Sequence, residues 1–232
     1  MGEAHRSFLG PWERSYAIGS NPSWSLHEMP ALAEYFLELA GAGGGVHLDV
    51  GCGNGGKTMQ FAAAGRQTIG LDPSPAAIAL ASSRAAKSGL TQRCSFIQGN
   101  ALAIPMTTAS VASASDILMA THLDEWELGV YLAELRRVTV SGAYLLLVLF
   151  SDQDCHFHGH AVSKRYTFRF DPANELMAAY EHYEGMYNAH FGQDEIASLL
   201  ACGGFEHRVS IEVPHPVYSH RTLWNVIATK ET

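Results

Sequence analysis

The stretch HLDVGCGNGGKT, residues 47–58, decides the fold of this chain. A short apolar run leads into glycines, and residues 51–56 satisfy the pattern G-x-G-x-x-G. Glycines permit positive φ and let the backbone approach a ligand closely, and a helix that follows points free N–H groups at the loop. The stretch therefore predicts a strand, a ligand-binding loop and a helix. The pattern alone does not distinguish a dinucleotide from another nucleoside-like ligand.

Two acidic residues flank this loop at informative positions. Asp72 follows the next predicted strand, 21 residues after Gly51. A carboxylate there can accept hydrogen bonds from both ribose hydroxyls, as in dinucleotide-binding folds. Asp49 lies two residues before Gly51, in a strand that should otherwise be apolar. Its charge repels a pyrophosphate and attracts a sulfonium or an ammonium group, which argues against NAD.

Apolar periodicity and capping signals predict helices that alternate with strands. The predicted helices cover residues 26–40, 56–64, 76–88, 124–138 and 194–202. The predicted strands cover residues 46–50, 67–71, 94–98, 111–116, 143–150, 205–213 and 222–229. This alternation predicts an α/β fold, a doubly wound, seven-stranded, mostly parallel sheet with helices on both faces. A ligand in such a sheet binds at the carboxyl ends of the strands.

Length and composition suit one compact domain over residues 1–232, with 47% apolar residues. We expect residues 1–25 to form a cap segment. Residues 151–192 follow the fifth strand, lack a clear period and exceed ordinary loop lengths, so we expect a substrate lid there.

Charge and cysteine content disfavour several classes of protein. With 15 basic and 23 acidic residues and no long basic block, the chain is a poor match for nucleic acid. The four cysteines form no C-x-x-C pair, so we expect reduced thiols and a cytoplasmic location. The longest apolar run, residues 143–150, is shorter than the roughly 20 residues of a bilayer-spanning helix, and we expect no membrane partner.

Several motifs together resemble the class I S-adenosylmethionine (SAM) methyltransferases. The family's first three motifs are matched by LDVGCGNGG, IGLDPSPAAIALA and GNALAIPM. Its later segments are matched by ATHLDEW, LAELRRVTVSGAYLLLVLF and, near the C-terminus, DEIASLLACGGFE. The main resemblance covers residues 26–150. Two departures are Asn100, where an Asp is common, and Ser141-Gly142, where Gly-Gly is usual.

The resemblance implies that SAM is the cofactor and S-adenosylhomocysteine (SAH) the product. It makes Asp72 the ribose-binding acid and places Asn100 near the adenine, where an amide can still bind the amino group. The donor-binding residues that it implies are Trp12, Tyr16, Asp49, Gly51, Cys52, Gly53, Asn54, Asp72, Pro73, Asn100, Ala101, Asp116 and Ile117.

The segment PWERSYAIGSNPSW contributes Trp12, Tyr16 and Trp24. It resembles the entry segment of thiopurine- and tellurite-type small-molecule methyltransferases, which folds over the donor. Aromatic rings near a sulfonium gain cation–π energy. The alternative interpretation is that these rings pack on the first helix.

Methyl transfer is an in-line displacement, and a base is needed only when the acceptor must lose a proton. His122, which follows the fourth strand in ATHLDEW, is the predicted catalytic base because imidazole titrates near neutrality. The alternative is a histidine that bonds backbone at the start of a helix. His190 is a second candidate base.

The lid offers an aromatic pocket for the methyl acceptor. The predicted acceptor-binding residues are Trp24, His122, Tyr183, Tyr187 and His190. The alternative for the lid aromatics is a core beneath the lid. His156, His158 and His160 alternate along the chain and could share one face, but we expect no metal site there because no supporting residues can be identified.

The acceptor atom (O, N or S of a small molecule) and the oligomeric state are left open by the sequence. One alternative is a tRNA-modifying methyltransferase, because VGCGNGGKT and LAELRRV also resemble wobble-uridine enzymes. Others are an NAD-dependent oxidoreductase, opposed by Asp49, and a SAM-binding protein that has lost activity.

Overall fold

A computed structural model provides the coordinates of the chain. It describes residues 9–17, 29–41, 44–153, 156–157, 160–161, 164–167, 169, 184–214 and 221–231. The predicted residues Trp24 and Tyr183 lie outside these ranges, as does His158. No described helix is both long enough and apolar enough to cross a membrane.

Strands and helices alternate through the described part of the chain. The strands are β1 Val46–Val50, β2 Gln67–Asp72, β3 Cys94–Gln98, β4 Val111–Ile117, β5 Thr139–Ser151, β6 His156–Phe157, β7 His160–Ala161, β8 Arg165–Thr167, β9 Tyr187–Phe191, β10 Phe205–Pro214 and β11 Thr222–Lys230. The helices are α1 Leu9–Ala17, α2 Ala33–Leu39, α3 Gly56–Ala63, α4 Pro75–Lys87, α5 Glu125–Val138 and α6 Gln193–Cys202, with a 3-10 helix at Ala120–His122.

The main sheet has the order β10-β11-β5-β4-β1-β2-β3. Strands β1 to β5 pair in parallel, and β11 runs antiparallel to β5 and β10. Because the order reverses beside β1, the carboxyl ends of β1 and β4 border the crevice where ligands bind in such sheets. The predicted doubly wound, mostly parallel sheet is confirmed.

Strand β5 shows why helices cover both faces of the sheet. Leu145, Leu147 and Leu149 belong to the large core that includes apolar residues of α5 and α6. Leu146, between them, packs instead with Phe36 of α2 and the apolar side of α3. Successive strand residues face opposite sides, so an apolar run without polar interruption requires two buried faces.

The sheet has nine strands in the described residues, against the seven predicted. The two unpredicted strands are β8 and β9. Strand β9 pairs in parallel with the last residues of β5, where Phe150 lies opposite His190. Its sequence, YNAHF, mixes polar and apolar residues although four of the five are buried. Apolar periodicity therefore did not predict this strand.

The predicted helix over residues 26–40 was too long. Helix α2 begins at Ala33, and Met29 and Pro30 are not helical. The residue before a proline is disfavoured in the α region, which explains the later start. The predicted start of α5 is confirmed: Asp124 accepts from the Glu127 amide at 2.9 Å, and the Glu127 carboxylate accepts from the Asp124 amide at 2.8 Å.

Candidate active site at the carboxyl ends of the strands

The glycine loop joins β1 to α3 in a backbone shape that only glycine adopts readily. Gly51 and Gly53 have φ values of +70° and +52°. A Cβ atom on Gly53 would overlap the hydroxyl oxygen of Tyr16, and one on Gly51 would overlap the Met119 side chain. The loop is therefore closely covered, with α1 on one side and the segment after β4 on the other.

Asp72 holds the shape of this loop from the end of β2. Its carboxylate accepts from the Gly53 amide at 2.8 Å and from the Ser74 amide at 2.9 Å. Burial raises the pKa of Asp72 to about 6, the two backbone donors oppose that rise, and the charges of Asp49 and Glu13 add to it. The predicted ribose-binding acid thus lies where the resemblance implies, with the loop bonded to it.

Asp49 is buried at the end of β1, directly before the loop. Thr58 donates to one of its carboxylate oxygens at 2.6 Å and Ser115 donates to the other at 2.8 Å. Burial raises its pKa, and these hydrogen bonds, together with the charge of Lys57, oppose the rise. The carboxylate therefore has a fixed orientation within the sheet.

Helix α1 covers the loop. Ser74 donates a hydrogen bond to the Glu13 carboxylate, and the Tyr16 hydroxyl lies against Gly53. The ring centroid of Trp12 lies 5.2 Å from that of His122, edge to face. The cap predicted from the N-terminal aromatic residues is thus in contact with both the loop and the predicted base.

The other loop residues predicted to bind the methyl donor are packed around the same turn. Asn54 is buried and accepts from the Gly56 amide at 3.2 Å. The Cys52 thiol is buried against β2, and burial raises its pKa well above the ordinary value, so it is an inert thiol. Pro73 is exposed beside Asp72, and its carbonyl accepts from Gln98 at 3.3 Å.

The predicted residues after β3 and β4 differ in exposure. Asn100 is exposed, and its side-chain oxygen accepts from the Leu102 amide at 2.9 Å, while Ala101 is partly buried against the core. The Asp116 carboxylate is buried and accepts from the amides of Met119 and Ala120, starting the 3-10 helix. Burial raises the pKa of Asp116 to about 7. Ile117 is partly buried beside it.

His122 ends the 3-10 helix, and its protonation can be assigned from its partner. Its Nδ1 lies 2.9 Å from the Tyr187 carbonyl oxygen, which can only accept, so Nδ1 carries the proton and Nε2 carries the lone pair. Burial lowers the pKa of His122 to about 4; the carbonyl opposes this and the charge of Arg221 adds to it. His122 therefore bonds backbone through Nδ1, as the alternative interpretation expected. Its pKa lies below the near-neutral value on which the predicted base rested, and its role as a base stays a prediction.

A group of rings continues from His122, and we call it the aromatic cluster. Phe150 lies at its centre, with ring centroids 6.3 Å from His122 and 5.4 Å from His190. Tyr166 lies 5.9 Å from His190, and the Arg221 guanidinium lies 4.3 Å from the centroid of Phe150. The cluster thus combines aromatic surface with one cationic group.

His190 resembles His122 in its protonation. Its Nδ1 lies 3.1 Å from the Ser151 carbonyl oxygen and therefore donates to it. Burial lowers the pKa of His190 to about 4, with the charges of Arg221 and Arg165 adding to the effect. Tyr187 was predicted to bind the acceptor, with a core beneath the lid as the alternative. Its carbonyl orients His122, and its side chain packs against the core.

The sequence prediction missed Phe150, Tyr166 and Arg221. Two of them meet through strand pairing rather than through a local sequence signal. Phe150 stands at the end of β5, and Arg221 directly precedes β11. Because β11 is antiparallel to β5, with Leu223 opposite Phe150, the start of one strand meets the end of the other.

In the described residues, no group of three histidine, cysteine, aspartate or glutamate side chains is placed to hold a metal ion. Strands β6 and β7 contain His156 and His160 and form a short antiparallel ladder. In this ladder His156 lies opposite Ala161, and His160 lies opposite Phe157. The histidine triplet predicted to lack a metal includes His158, which is outside the described residues, so that prediction stays open.

Comparison with known proteins finds similarity to methyltransferases. Residues 48–142 match the family described as a methyltransferase domain. A curated relative, ajmaline N-methyltransferase of Rauvolfia serpentina, is 33% identical over 102 residues, which are 44% of this chain and 34% of the relative. The match therefore spans about a third of that relative's length.

Two solved structures share the fold. A SAM-dependent methyltransferase of Methanosarcina mazei is 24% identical, with a TM-score of 0.70 over 88% of this chain and 99% of that one. The 1,6-didemethyltoxoflavin-N1-methyltransferase of Burkholderia thailandensis, solved with 1,6-didemethyltoxoflavin and SAH bound, is 18% identical, with a TM-score of 0.71 over 100% of this chain and 92% of that one.

The chain has the fold of the class I SAM-dependent methyltransferases, and residues 48–142 match the methyltransferase domain family. The resemblance of the glycine loop and its flanking motifs to that class is confirmed. The match to a methyltransferase domain favours a methyl donor over a dinucleotide at the loop.

Proposed function

We propose that the chain transfers a methyl group from SAM to an O, N or S atom of a small molecule that contains an aromatic ring. The observation that carries this proposal is the position of α1. The helix places Tyr16 against the glycine loop and Trp12 against His122, and so joins the donor loop to the aromatic cluster.

The residues at the strand ends fit a cationic donor. Asp49, Asp72 and Asp116 are all buried near one another, and the charge of Asp49 raises the pKa of both other acids. A positive ligand stabilises such carboxylates in their ionised form, whereas the pyrophosphate of NAD opposes them. The positive φ values of Gly51 and Gly53 shape the loop backbone so that it can approach a donor closely.

The proton of the acceptor has a defined destination. Bound SAM supplies an electrophilic methyl group on a sulfonium sulfur. An acceptor O–H or N–H would bond to that methyl carbon as the carbon–sulfur bond breaks and SAH leaves, and Nε2 of His122 would take the acceptor's proton. The hydrogen bond from Nδ1 to the Tyr187 carbonyl keeps the ring oriented. Trp12 and Phe150 both make edge-to-face contacts with that ring.

The aromatic cluster supports a planar acceptor. Phe150 and Tyr166 supply apolar ring surface, and Arg221 above Phe150 supplies a positive charge that suits an electron-rich ring or an anionic substituent. Trp24 and Tyr183 stay predicted acceptor contacts outside the described residues.

Two further observations support the class of partner and the location that we propose for the protein. The net charge of −8 supports a small-molecule acceptor over a nucleic acid. Among the described residues Cys52, Cys94 and Cys202 are free, which supports a cytoplasmic location.

Calorimetric titration with SAM, SAH and NAD tests the donor first. We expect SAM and SAH to bind, and Asp72→Asn to weaken both by about tenfold or more, because a hydrogen bond to a charged group contributes about 1.5–3 kcal/mol. Glu125→Gln, an exposed acid on α5, removes the same charge and should leave the affinities unchanged. Binding of NAD alone would refute the proposal.

A screen of acceptors then tests the substrate class. Phenols, N–H heteroaromatics, thiols and a transfer RNA are each incubated with SAM, and release of SAH is measured. Turnover of ring-containing small molecules supports the proposal. Turnover of the RNA alone, with salt-sensitive binding, would favour the tRNA-modifying alternative.

A further inference from the structure

A line of buried polar side chains crosses β1 and β4, and we call it the buried polar chain. Its members, from one end to the other, are Arg66, Ser113, His47, Ser115 and Asp49. His47 lies opposite Ser113 and Asp49 opposite Ser115 in the parallel register. Residues two apart on a strand share a face, so the four strand side chains form one ladder inside the core.

Each link of the chain has hydrogen-bond length. Arg66 donates to Ser113 at 2.9 Å, and Ser113 lies 3.0 Å from Nδ1 of His47. Nε2 of His47 lies 3.0 Å from Ser115, which donates to Asp49 at 2.8 Å. A guanidinium and a carboxylate therefore stand at opposite ends of an unbroken path.

The two ends set the direction of the protons. Arg66 can only donate, so Ser113 accepts from it and is free to donate to Nδ1 of His47. Nε2 of His47 then carries the hydrogen and donates to Ser115, and Ser115 donates to an ionised Asp49. In this order every hydrogen of the path has an acceptor. Burial and the charge of Arg66 lower the pKa of His47 to about 3, so the ring stays neutral.

A proton on the Asp49 oxygen that faces Ser115 reverses the path and leaves it incomplete, and the other oxygen already accepts from Thr58. Asp49 would then donate to Ser115, Ser115 to Nε2 of His47, and Nδ1 of His47 to Ser113. Ser113 would receive hydrogens from both Arg66 and His47. Its own hydrogen would then have no acceptor among the five side chains of the buried polar chain. Leaving a buried donor unsatisfied costs about 1–3 kcal/mol, so the path favours the ionised carboxylate.

Both ends are also anchored outside the path. Thr58 donates to the second oxygen of Asp49 at 2.6 Å. Arg66 donates to the carbonyls of Ala40 and Gly41, which lead from α2 towards β1. The carboxylate therefore cannot turn without breaking a bond at one of its oxygens.

We propose that His47 and Ser115 are positioning residues for the methyl donor, which keep Asp49 ionised and in one orientation for a cationic ligand. The inference rests on the proposed function, because it takes SAM as that ligand. Other titratable or charged groups also act on Asp49 or are acted on by it: Cys52, Lys57, Asp72, Asp116 and Tyr131.

Two serine variants separate positioning from simple loss of a buried bond. Ser115→Ala cuts the path next to Asp49, whereas Ser113→Ala cuts it at the far side of His47. Both serines are fully buried on β4 and each variant loses one hydroxyl, so a merely structural role predicts equal effects. SAM affinity is measured by calorimetry for both variants and wild type between pH 6 and 9.

We expect Ser115→Ala to raise the pKa of Asp49, because it removes a hydrogen bond that favours the ionised carboxylate. Its SAM affinity should therefore fall by up to about tenfold at the acidic end, the scale of one hydrogen bond to a charged group, and approach wild type at the alkaline end. Ser113→Ala should stay within about threefold throughout. Equal affinities of wild type and Ser115→Ala, or equal losses in both variants, overturn the inference.

The tautomer of His47 gives a second readout, which is measured on wild type. In ¹⁵N spectra of wild type with SAM, the His47 ring, assigned by its loss in His47→Gln, should carry hydrogen on Nε2 and none on Nδ1. Hydrogen on Nδ1 overturns the inference even if SAM binds. Absence of SAM binding to wild type refutes the proposed function instead, so the two failures are distinguishable.

Discussion

Gly53 and Tyr16 should be energetically coupled, because the hydroxyl of Tyr16 occupies the place where a Cβ atom on Gly53 would stand. Gly53→Ala introduces two separate penalties. The backbone at φ +52° becomes strained, and the new methyl group pushes against α1. Tyr16→Phe removes only the hydroxyl oxygen, after which the nearest ring atom, Cζ, lies 3.2 Å from the new Cβ.

The magnitude follows from these two penalties. A left-handed conformation costs a non-glycine residue about 1–2 kcal/mol, and this strain is present with either residue at position 16. The overlap with the hydroxyl is present only with Tyr16. Gly53→Ala should therefore reduce the free energy of unfolding by about 1–2 kcal/mol in the Tyr16→Phe background. In the wild-type background we expect an additional loss of about 1 kcal/mol, within the range for residues in contact.

Urea unfolding of wild type, the two single variants and the double variant gives the coupling free energy directly. Gly51→Ala is the matched control, because Gly51 has a similar φ of +70° but faces Met119 rather than Tyr16. It should show no coupling to Tyr16→Phe. If Gly53→Ala and Tyr16→Phe are additive within about 0.5 kcal/mol, the Tyr16 hydroxyl does not lie on the loop and the reasoning about the cap is wrong.

Three further predictions concern the ionisable groups. His122→Asn keeps a hydrogen-bond donor for the Tyr187 carbonyl but removes the basic nitrogen. The kcat for an O–H or N–H acceptor should therefore fall by about 10²–10⁴-fold, with little change in SAM affinity. An unchanged kcat would show that His122 is not the base. Arg221→Gln should raise the titration midpoint of His122, followed by NMR, because the Arg221 charge lowers that pKa. The pKa of Asp116 is raised to about 7, so its contribution to stability is complete below its ordinary value near 3.8 and is lost as pH rises through about 7. Asp116→Asn should therefore gain stability relative to wild type in urea unfolding as the pH rises from about 4 to about 7, and parallel pH curves would contradict this assignment.

The aromatic cluster shows how local signals can point to the right region and still miss its members. His122 and His190 were predicted as candidate bases from their positions along the chain, and the structure places both beside Phe150. Phe150 was predicted only as part of an apolar strand. Its role depends on β9 and β11, which approach the end of β5 from distant parts of the chain. The donor and acceptor roles of all these residues stay predictions until the binding and turnover experiments are done.

The sequence by itself determined the features that depend on short stretches of backbone. Glycines at 51 and 53 permit the positive φ of the loop, and the Asp124 capping box starts α5. The alternation of apolar runs and helical periods determined the parallel sheet, and the offset between Gly51 and Asp72 placed the acid at the neighbouring strand end. These signals are local because φ/ψ preferences and side-chain periods act within a few residues.

Only the tertiary structure decided which distant residues meet. His47 and Ser115 are 68 positions apart, and the register of β1 against β4 brings them to 3.0 Å. Arg221 reaches Phe150 because the last strand enters the sheet antiparallel. Such contacts depend on the order and register of strands, which are set by the packing of the whole core, and no local pattern carries that information.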